Sequence, residues 1–352
     1  MSQILFGNHG PAAPSKTLRR GLIPIAVNVT ATATGIIEFS NGSTAEATCL
    51  RCPSTPCMTF ADSEVVSASL PEFPADRNPS VCPTGAITKT ISGAPSVNPD
   101  ACMFCGVCAS RCPVGAIYLN PYAVVKDQPH PDFLETRDSK ETAASFALFS
   151  SAARRGVFLE ESDDVVDELR SRMERAWKTI GDRFPDHLAR NLLIAAGVGA
   201  AMRRKGDVFA RMDLVLGAPW PMYGCAEAEF GDVAVLDAPR DLLDDVAVSV
   251  GRLGKPTSLI ALVVTDVLPN RRSEYWRIVQ DIRKVVGLSI GTVTVLALCM
   301  IVWSGRRMRD LPNDLFHVDI DTPSYRQAVL EPLVGRPLRI GSEPRPSVDI
   351  AK

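Results

Sequence analysis

The period of the apolar positions changes along the chain, and those changes divide it. Between Leu22 and Ser40 the residues are rich in Val, Ile and Thr, which predicts two short strands, and Asn41-Gly42 then marks a turn. From Tyr122 to Thr142 the chain turns polar and proline-containing, as a linker does. Beyond it, Asp163 to Ile180 places Val166, Leu169, Met173, Trp177 and Ile180 in steps of three and four, one face of a helix. Phe184-Pro185-Asp186 opens a second helix, with proline in its first turn; Leu188, Leu192, Ile194 and Val198 carry it toward Arg203–Gly206. Then come a strand over Met212–Leu216, an alternating strand over Cys225–Gly231, a helix over Pro239–Val250 and a strand over Ser258–Thr265. A helix over Ser273–Val286 and a strand over Thr292–Leu298 complete this run. The remainder, 310–352, is proline-rich with one strand–helix piece at 316–330.

One stretch fits two solvents. Val285 to Trp303 is nineteen residues without a charge, followed by Arg306 and Arg307. Its length and flanks suit a membrane span. Its β-branched segment, Ile290 to Val295, suits a buried strand leading into a short buried helix, and the membrane reading is the weaker one.

The 352 residues allow two or three domains, and a net charge of −2 gives no global basic signal for nucleic acid. The N-terminal twenty residues lack the layout of a signal peptide, so a cytoplasmic location is expected. Of ten cysteines, eight lie between Cys49 and Cys112; Cys225 and Cys299 stand apart in apolar surroundings and are expected as buried thiols.

Cys102, Cys105, Cys108 and Cys112 are spaced C-x2-C-x2-C-x3-C-P. Thiolates at that density are soft ligands suited to iron. Upstream, Cys49, Cys52 and Cys57 read C-x2-C-x4-C, and Cys82 precedes Pro83. CPTGAI at Cys82–Ile87 matches CPVGAI at Cys112–Ile117 at five of six positions, an internal repeat. Over residues 36–125 the chain resembles the two-cluster bacterial-type ferredoxin family. That resemblance implies two [4Fe–4S] clusters, one on Cys49, Cys52, Cys57 and Cys112, the other on Cys102, Cys105, Cys108 and Cys82. The first half departs from the family by its four-residue spacing and by an insertion, Met58–Val81, that either shields a cluster or forms a docking surface. A pair of zinc sites is the competing reading, and two interleaved halves with a repeated Gly-Ala-Ile tail fit it poorly. Disulfides would need an oxidising compartment.

A second constellation is acidic. Asp213 lies in one predicted strand; Glu227 and Glu229, two apart, point the same way from the next. If the strands are neighbours, the three carboxylates converge, and Asp213 and Glu227 become candidate ligands for Mg²⁺. The order of elements over 185–305 resembles the restriction-endonuclease-like superfamily, whose signature is Asp followed by (Asp/Glu)-x-Lys. The resemblance implies catalytic roles for Asp213, Glu227 and Glu229, with Glu229 where lysine usually stands. Lys205, in the turn before, is a candidate substitute or phosphate contact. Arg203, Arg204, Arg271, Arg272, Arg277, Arg283 and Lys284 supply local positive charge, and Tyr275 and Trp276 lie among them as candidate stacking groups. A solvated helix face is the plainer account of those charges.

The expected fold is therefore an α+β ferredoxin-like module followed by an α/β domain of restriction-endonuclease-like type. The boundaries are 1–35 (an extension with short strands), 36–125 (the two-cluster module), 126–184 (linker and amphipathic helix), 185–305 (the α/β domain) and 306–352 (tail). The expected function is an iron–sulfur protein with a metal-dependent nuclease-like domain acting on nucleic acid. The rival is an electron-transfer subunit whose C-terminal domain docks a redox or system partner protein, or anchors to a membrane. No nucleotide- or flavin-binding glycine motif is present in the sequence.

Overall fold

The computed structural model describes residues 28–31, 34–38, 44–48, 51–66, 73–91, 93, 95–98, 100–112, 117–120, 165–207, 211–218, 223–231, 234–254, 259–303, 306–322 and 324–334. Cys49 and the linker before residue 165 lie outside the described residues.

The N-terminal unit is built from short antiparallel pairs. β1 (Asn28–Ala31) pairs with β6 (Ile117–Asn120), β2 (Thr34–Glu38) with β3 (Thr44–Thr48), and β4 (Ile87–Lys89) with β5 (Pro95–Val97). The pairing of β1 with β6 brings a strand from before residue 36 into the cysteine-bearing unit. α1 (Asp62–Val65) lies inside the insertion, and α2 (Val107–Arg111) carries Cys108. Arg111 on α2 is the polar hub of the unit. It is 1 % exposed and makes paired bonds of 3.0 and 2.9 Å to Glu64 of α1, with a third to the Pro56 carbonyl.

The second unit begins with α3 (Val165–Ile180), where Leu169 and Met173 are buried and Trp177 sits edge-on to Phe230. Ile180, expected on that buried face, is exposed because the helix ends there. α4 (Phe184–Ala195) stops at Gly197, whose φ of +82° is left-handed. The chain then forms β7 (Gly199–Met202), so the helix expected to reach 203–206 is corrected to a shorter helix and a strand. Gly-Ala-Ala-Met has no β-branched signature; β7 exists because it is buried and paired. A Cβ at Gly199 would collide with the Ala218 carbonyl, which explains the glycine.

A five-stranded sheet follows, in spatial order β11-β10-β9-β8-β7. β8 (Leu214–Gly217) is antiparallel to β7 and to β9 (Gly224–Glu229). β9, β10 (Ile260–Thr265) and β11 (Ile290–Thr294) are mutually parallel. α5 (Ala238–Leu253) joins β9 to β10, and α6 (Glu274–Val286) joins β10 to β11. Two successive parallel crossovers in one direction put α5 and α6 on one face of the sheet, where they touch. α7 (Val295–Trp303) follows β11 and packs against α4.

The apolar run resolves accordingly. The strand expected over 292–298 ends at Thr294, and the rest is a helix buried at every residue. Among the described residues no helix is long and apolar enough to cross a membrane. Residues 306–334, assigned by sequence to a tail, pack onto the core through Met308, Phe316, Val318, Tyr325, Val329 and Leu333, ending in a π-helical turn (Arg326–Leu330) and α8 (Glu331–Val334).

The two units are tightly joined. One face of α4 grips the insertion: Asn191 donates 3.0 Å bonds to the carbonyls of Ser80 and Val81, Arg190 to Asn78, and His187 meets Ser80 at 3.3 Å. Arg183, just before that helix, bonds Asp76 at 2.9 Å. From the other side, Trp303 at the end of α7 donates to the Cys105 carbonyl at 3.1 Å, and Arg172 of α3 donates to the Cys102 carbonyl at 2.9 Å while lying over Phe104. The insertion thus serves as a joint between the units.

Candidate functional site

Two sites emerge, one of sulfur and one of oxygen. Cys82, Cys102, Cys105 and Cys108 line a single cavity, whose remaining wall includes Val81, Ala86, Ile87, Val97 and Met103. The backbone reaches these positions through left-handed turns at Phe104 (φ 63°) and Gly106 (φ 78°), which curl the first three cysteines inward before α2 begins. Backbone N–H groups are aimed at sulfur: Ala86 to Cys82 at 3.2 Å and Phe104 to Cys102 at 3.4 Å. The Thr84 hydroxyl lies 3.4 Å from Cys82 Sγ.

Burial pushes the Cys102 thiol up to about 11, with a Phe104 hydrogen bond opposing it, and pushes Cys105 and Cys108 well above the ordinary thiol range. Thiolates in such a pocket need a strong positive partner. Four soft donors, dry walls and N–H bonds to sulfur fit an iron–sulfur cluster. Of the other proposed ligand set, Cys52 and Cys112 are buried and Cys57 is half-buried. Among the charges that raise Cys108, Cys57 contributes least, after Cys102, Cys105 and Cys82. Cys225 and Cys299 are fully buried in the second unit, as expected.

The oxygen site stands where β8 and β9 meet. Asp213 immediately precedes β8, and Glu227 and Glu229 share one side of β9. One oxygen from each lies within 4.8 Å of the others. The expected convergence is therefore present in space. Asp213 and Glu227 are buried, while Glu229 is partly exposed and opens the site to solvent. Arg203 pairs with Asp213 at 3.1 Å. Lys205 is exposed in the turn beyond Arg203, with Arg204 beside it.

These carboxyls crowd one another. Burial, then Asp245 and Asp213, holds Glu227 well above the usual carboxylate range. Burial and repulsion from Asp213 raise Glu229 to about 7. Asp186, on the first turn of α4, is likewise raised to about 7, by burial and Asp213 against the attraction of Arg183 and Arg203. Asp186 and Asp245 were missed in the sequence reading. Asp186 looked like an ordinary first-turn acid, and Asp245 was hidden beside Asp244. The signal for Asp245 was an acid within the apolar stripe of α5, next to Leu242 and Val246.

Tyr275 and Trp276 correct an expectation. Both are buried, with Tyr275 bonded to Thr292 at 2.7 Å and Trp276 to the Pro269 carbonyl at 3.2 Å. The α6 face that carries them is the core face, so they cannot stack on bases, and the basic residues of α6 form its solvated side.

In a comparison with known families, a family model described as a 4Fe-4S binding domain matches residues 95–118. Comparisons with curated proteins and with solved structures gave no match. The matched segment holds β5, the run Cys102–Cys112 and α2, and supplies Val97, Cys102, Met103, Cys105, Gly106 and Cys108 to the wall of the sulfur cavity; Cys82 lies before it. The chain is accordingly an iron–sulfur protein with a ferredoxin-type 4Fe–4S binding region at residues 95–118.

Proposed function

We propose that the protein is a divalent-cation-dependent phosphodiesterase acting on nucleic acid, built on a module that holds two [4Fe–4S] clusters. The observation that carries the nuclease reading is the meeting of Asp213, Glu227 and Glu229 within 4.8 Å on adjacent strands of a mixed sheet. The strand order and directions support it: an antiparallel β7-β8-β9 meander, then a helix and a parallel strand, as the restriction-endonuclease-like resemblance implies.

In this reading Asp213 and Glu227 hold Mg²⁺, and Glu229 adds an oxygen where the superfamily usually has lysine. An ion held there would supply Lewis acidity toward water and positive charge beside a scissile phosphate. Arg203 fixes the Asp213 carboxylate, and the exposed Arg204 and Lys205 face the solvent from which a phosphate backbone arrives. The test is cleavage of DNA and RNA by anaerobically purified, cluster-loaded protein with Mg²⁺ or Mn²⁺. Asp213→Asn is expected to lower the rate at least about 100-fold, since weakening even a supporting residue of a metal site costs 10–100-fold. Equal activity, or equal inactivity, of the two proteins on every substrate removes the nuclease reading.

The two-cluster count rests on the repeat. Arg51 (φ 49°) and Phe104 (φ 63°) each immediately precede the second cysteine of their half and each adopt the left-handed conformation that non-glycine residues seldom take. About eight irons per chain are expected, falling to about four in Cys57→Ala. A wild-type count near four removes the second cluster. The interleaving of both cysteine sets within one short stretch also favours a second reading, an electron relay that serves a redox partner. That reading expects reversible reduction of both clusters and no effect of Asp213→Asn.

A further inference from the structure

A cavity of about 960 Å³ lies against α5, and none of its wall residues belongs to the sulfur or the oxygen site. The walls come from four places: the second half of α5, the start of β10, the residues that end and follow α6, and the segment 308–317. The sequence pattern makes the hollow. Leu243, Ala247 and Gly251 are each four apart, so they share a face of α5 beside its buried stripe. Two of the three are small, and a Cβ at Gly251 would meet no atom within 4 Å. Ile260 and Leu262, two apart on β10, supply another wall. Phe316 closes the far side, its carbonyl accepting a 2.8 Å bond from the Thr292 N–H of β11.

At the rim, Val286 is 58 % exposed and its neighbour Val285 84 % exposed. Apolar side chains kept against water around a concavity of this size mark a binding site. No wall residue is an acid, a lysine or an arginine; the polar groups are Ser289, Asn313 and His317. Burial and the Arg283 charge hold His317 below its ordinary value, so it stands neutral at pH 7. Arg283 and Lys284 occupy the last turn of α6, where cations offset the helix carbonyls, so they are no sign of an anionic ligand. A charge among these walls would be desolvated without a partner.

We propose that this cavity binds an uncharged, largely apolar small molecule carrying a hydrogen-bonding group for Ser289, Asn313 or His317. The volume falls within the range of about 300–1,000 Å³ that takes drug-sized ligands. Walls on four sides suit a small molecule; a partner helix would need a continuous groove. The proposal stands whether or not the protein cleaves nucleic acid.

The test is titration of Nile red, an uncharged apolar dye that brightens on leaving water, into the full, cluster-loaded chain. Saturable binding of one dye per chain is expected. Gly251→Leu and Ala247→Phe, which fill the cavity from α5, should weaken it at least about tenfold. Ile91→Ser, which removes a fully exposed apolar side chain of the cysteine unit, should not. Dodecan-1-ol should displace the dye at least about tenfold more effectively than ionised dodecanoate. No saturable binding, or equal binding by all these proteins, overturns the site. Equal displacement by dodecanoate overturns the uncharged class. A wild-type dimer that Gly251→Leu renders monomeric would give the cavity to a second copy and overturn the proposal as well. Cluster absorbance reports whether each variant is folded; should both filling variants fail, the displacement by dodecan-1-ol from the wild type decides.

Discussion

Arg111→Met is expected to strip iron from the protein. Arg111 lies between Cys108 and Cys112, and its guanidinium makes two bonds to Glu64, one to the Pro56 carbonyl, and a stacking contact 4.2 Å above Phe60. Both ionic partners are buried, at 1 % and 4 % side-chain exposure. Removing one member of such a pair leaves an uncompensated charge, which costs about 3–5 kcal/mol. Glu64 also accepts a 2.8 Å bond from the Ala61 N–H, so it cannot swing out without uncapping α1. Cluster binding free energy is folding free energy, so a loss here appears as cluster loss. The temperature at which visible cluster absorbance disappears should fall by roughly 10 °C. The double variant Arg111→Met/Glu64→Leu, which removes both charges, should recover part of that loss. An unchanged transition in Arg111→Met would show that the pair contributes nothing to holding the cysteine unit.

The second large effect concerns the acids. Asp186 and Glu229 titrate near 7 in the folded protein, well above the ordinary range of an unfolded carboxyl. A raised folded pKa means that the folded state binds the extra proton. The stability it contributes is fully present below about pH 4 and is lost as pH rises through about 7. In cation-free protein the melting temperature should therefore fall between pH 6 and pH 8.5, by an amount corresponding to about 1 kcal/mol from Asp186 and less from the half-exposed Glu229, whose shift solvent screens. His187 opposes this only at lower pH. Burial lowers it to about 4, so its contribution is present above about pH 6.5 and is lost as pH falls toward 4. Mg²⁺ or Mn²⁺ should restore stability at pH 8.5 far more than at pH 6, because it supplies the positive charge that the ionised acids lack. Thermal scans at both pH values, on protein freed of divalent ions by resin, check this. A cation response of equal size at both would mean that the ions act elsewhere.

The sequence made some features visible and hid others, for physical reasons. The cysteine unit was legible because ligand spacing is written in consecutive residues, and the triad because side chains two apart on a strand share a side. β7 was not legible: Gly-Ala-Ala-Met owes its conformation to its partner β8 and to close approach at Ala218. The end of β11 was not legible either, since Thr292 to Leu298 is apolar and β-branched at its start and the backbone turns helical only after Thr294. Tyr275 and Trp276 looked like stacking groups because they sit among arginines; only the packing of α6 shows that they belong to the core. Asp186 was invisible beside the acids because what it faces is set by distant parts of the chain, whereas Asp245 left a trace as an acid within the apolar stripe of α5.

The double engagement of α4 has a consequence for how the molecule opens. Asn191, Arg190 and His187 hold the carbonyls just ahead of Cys82, while Asp186 on the same helix borders the acids. Neither site can come apart without disturbing a helix that the other also needs. The sulfur pocket and the carboxylates therefore belong to one cooperative unfolding unit, and the amides of 188–195 should exchange with solvent in the same opening event as those around Val81.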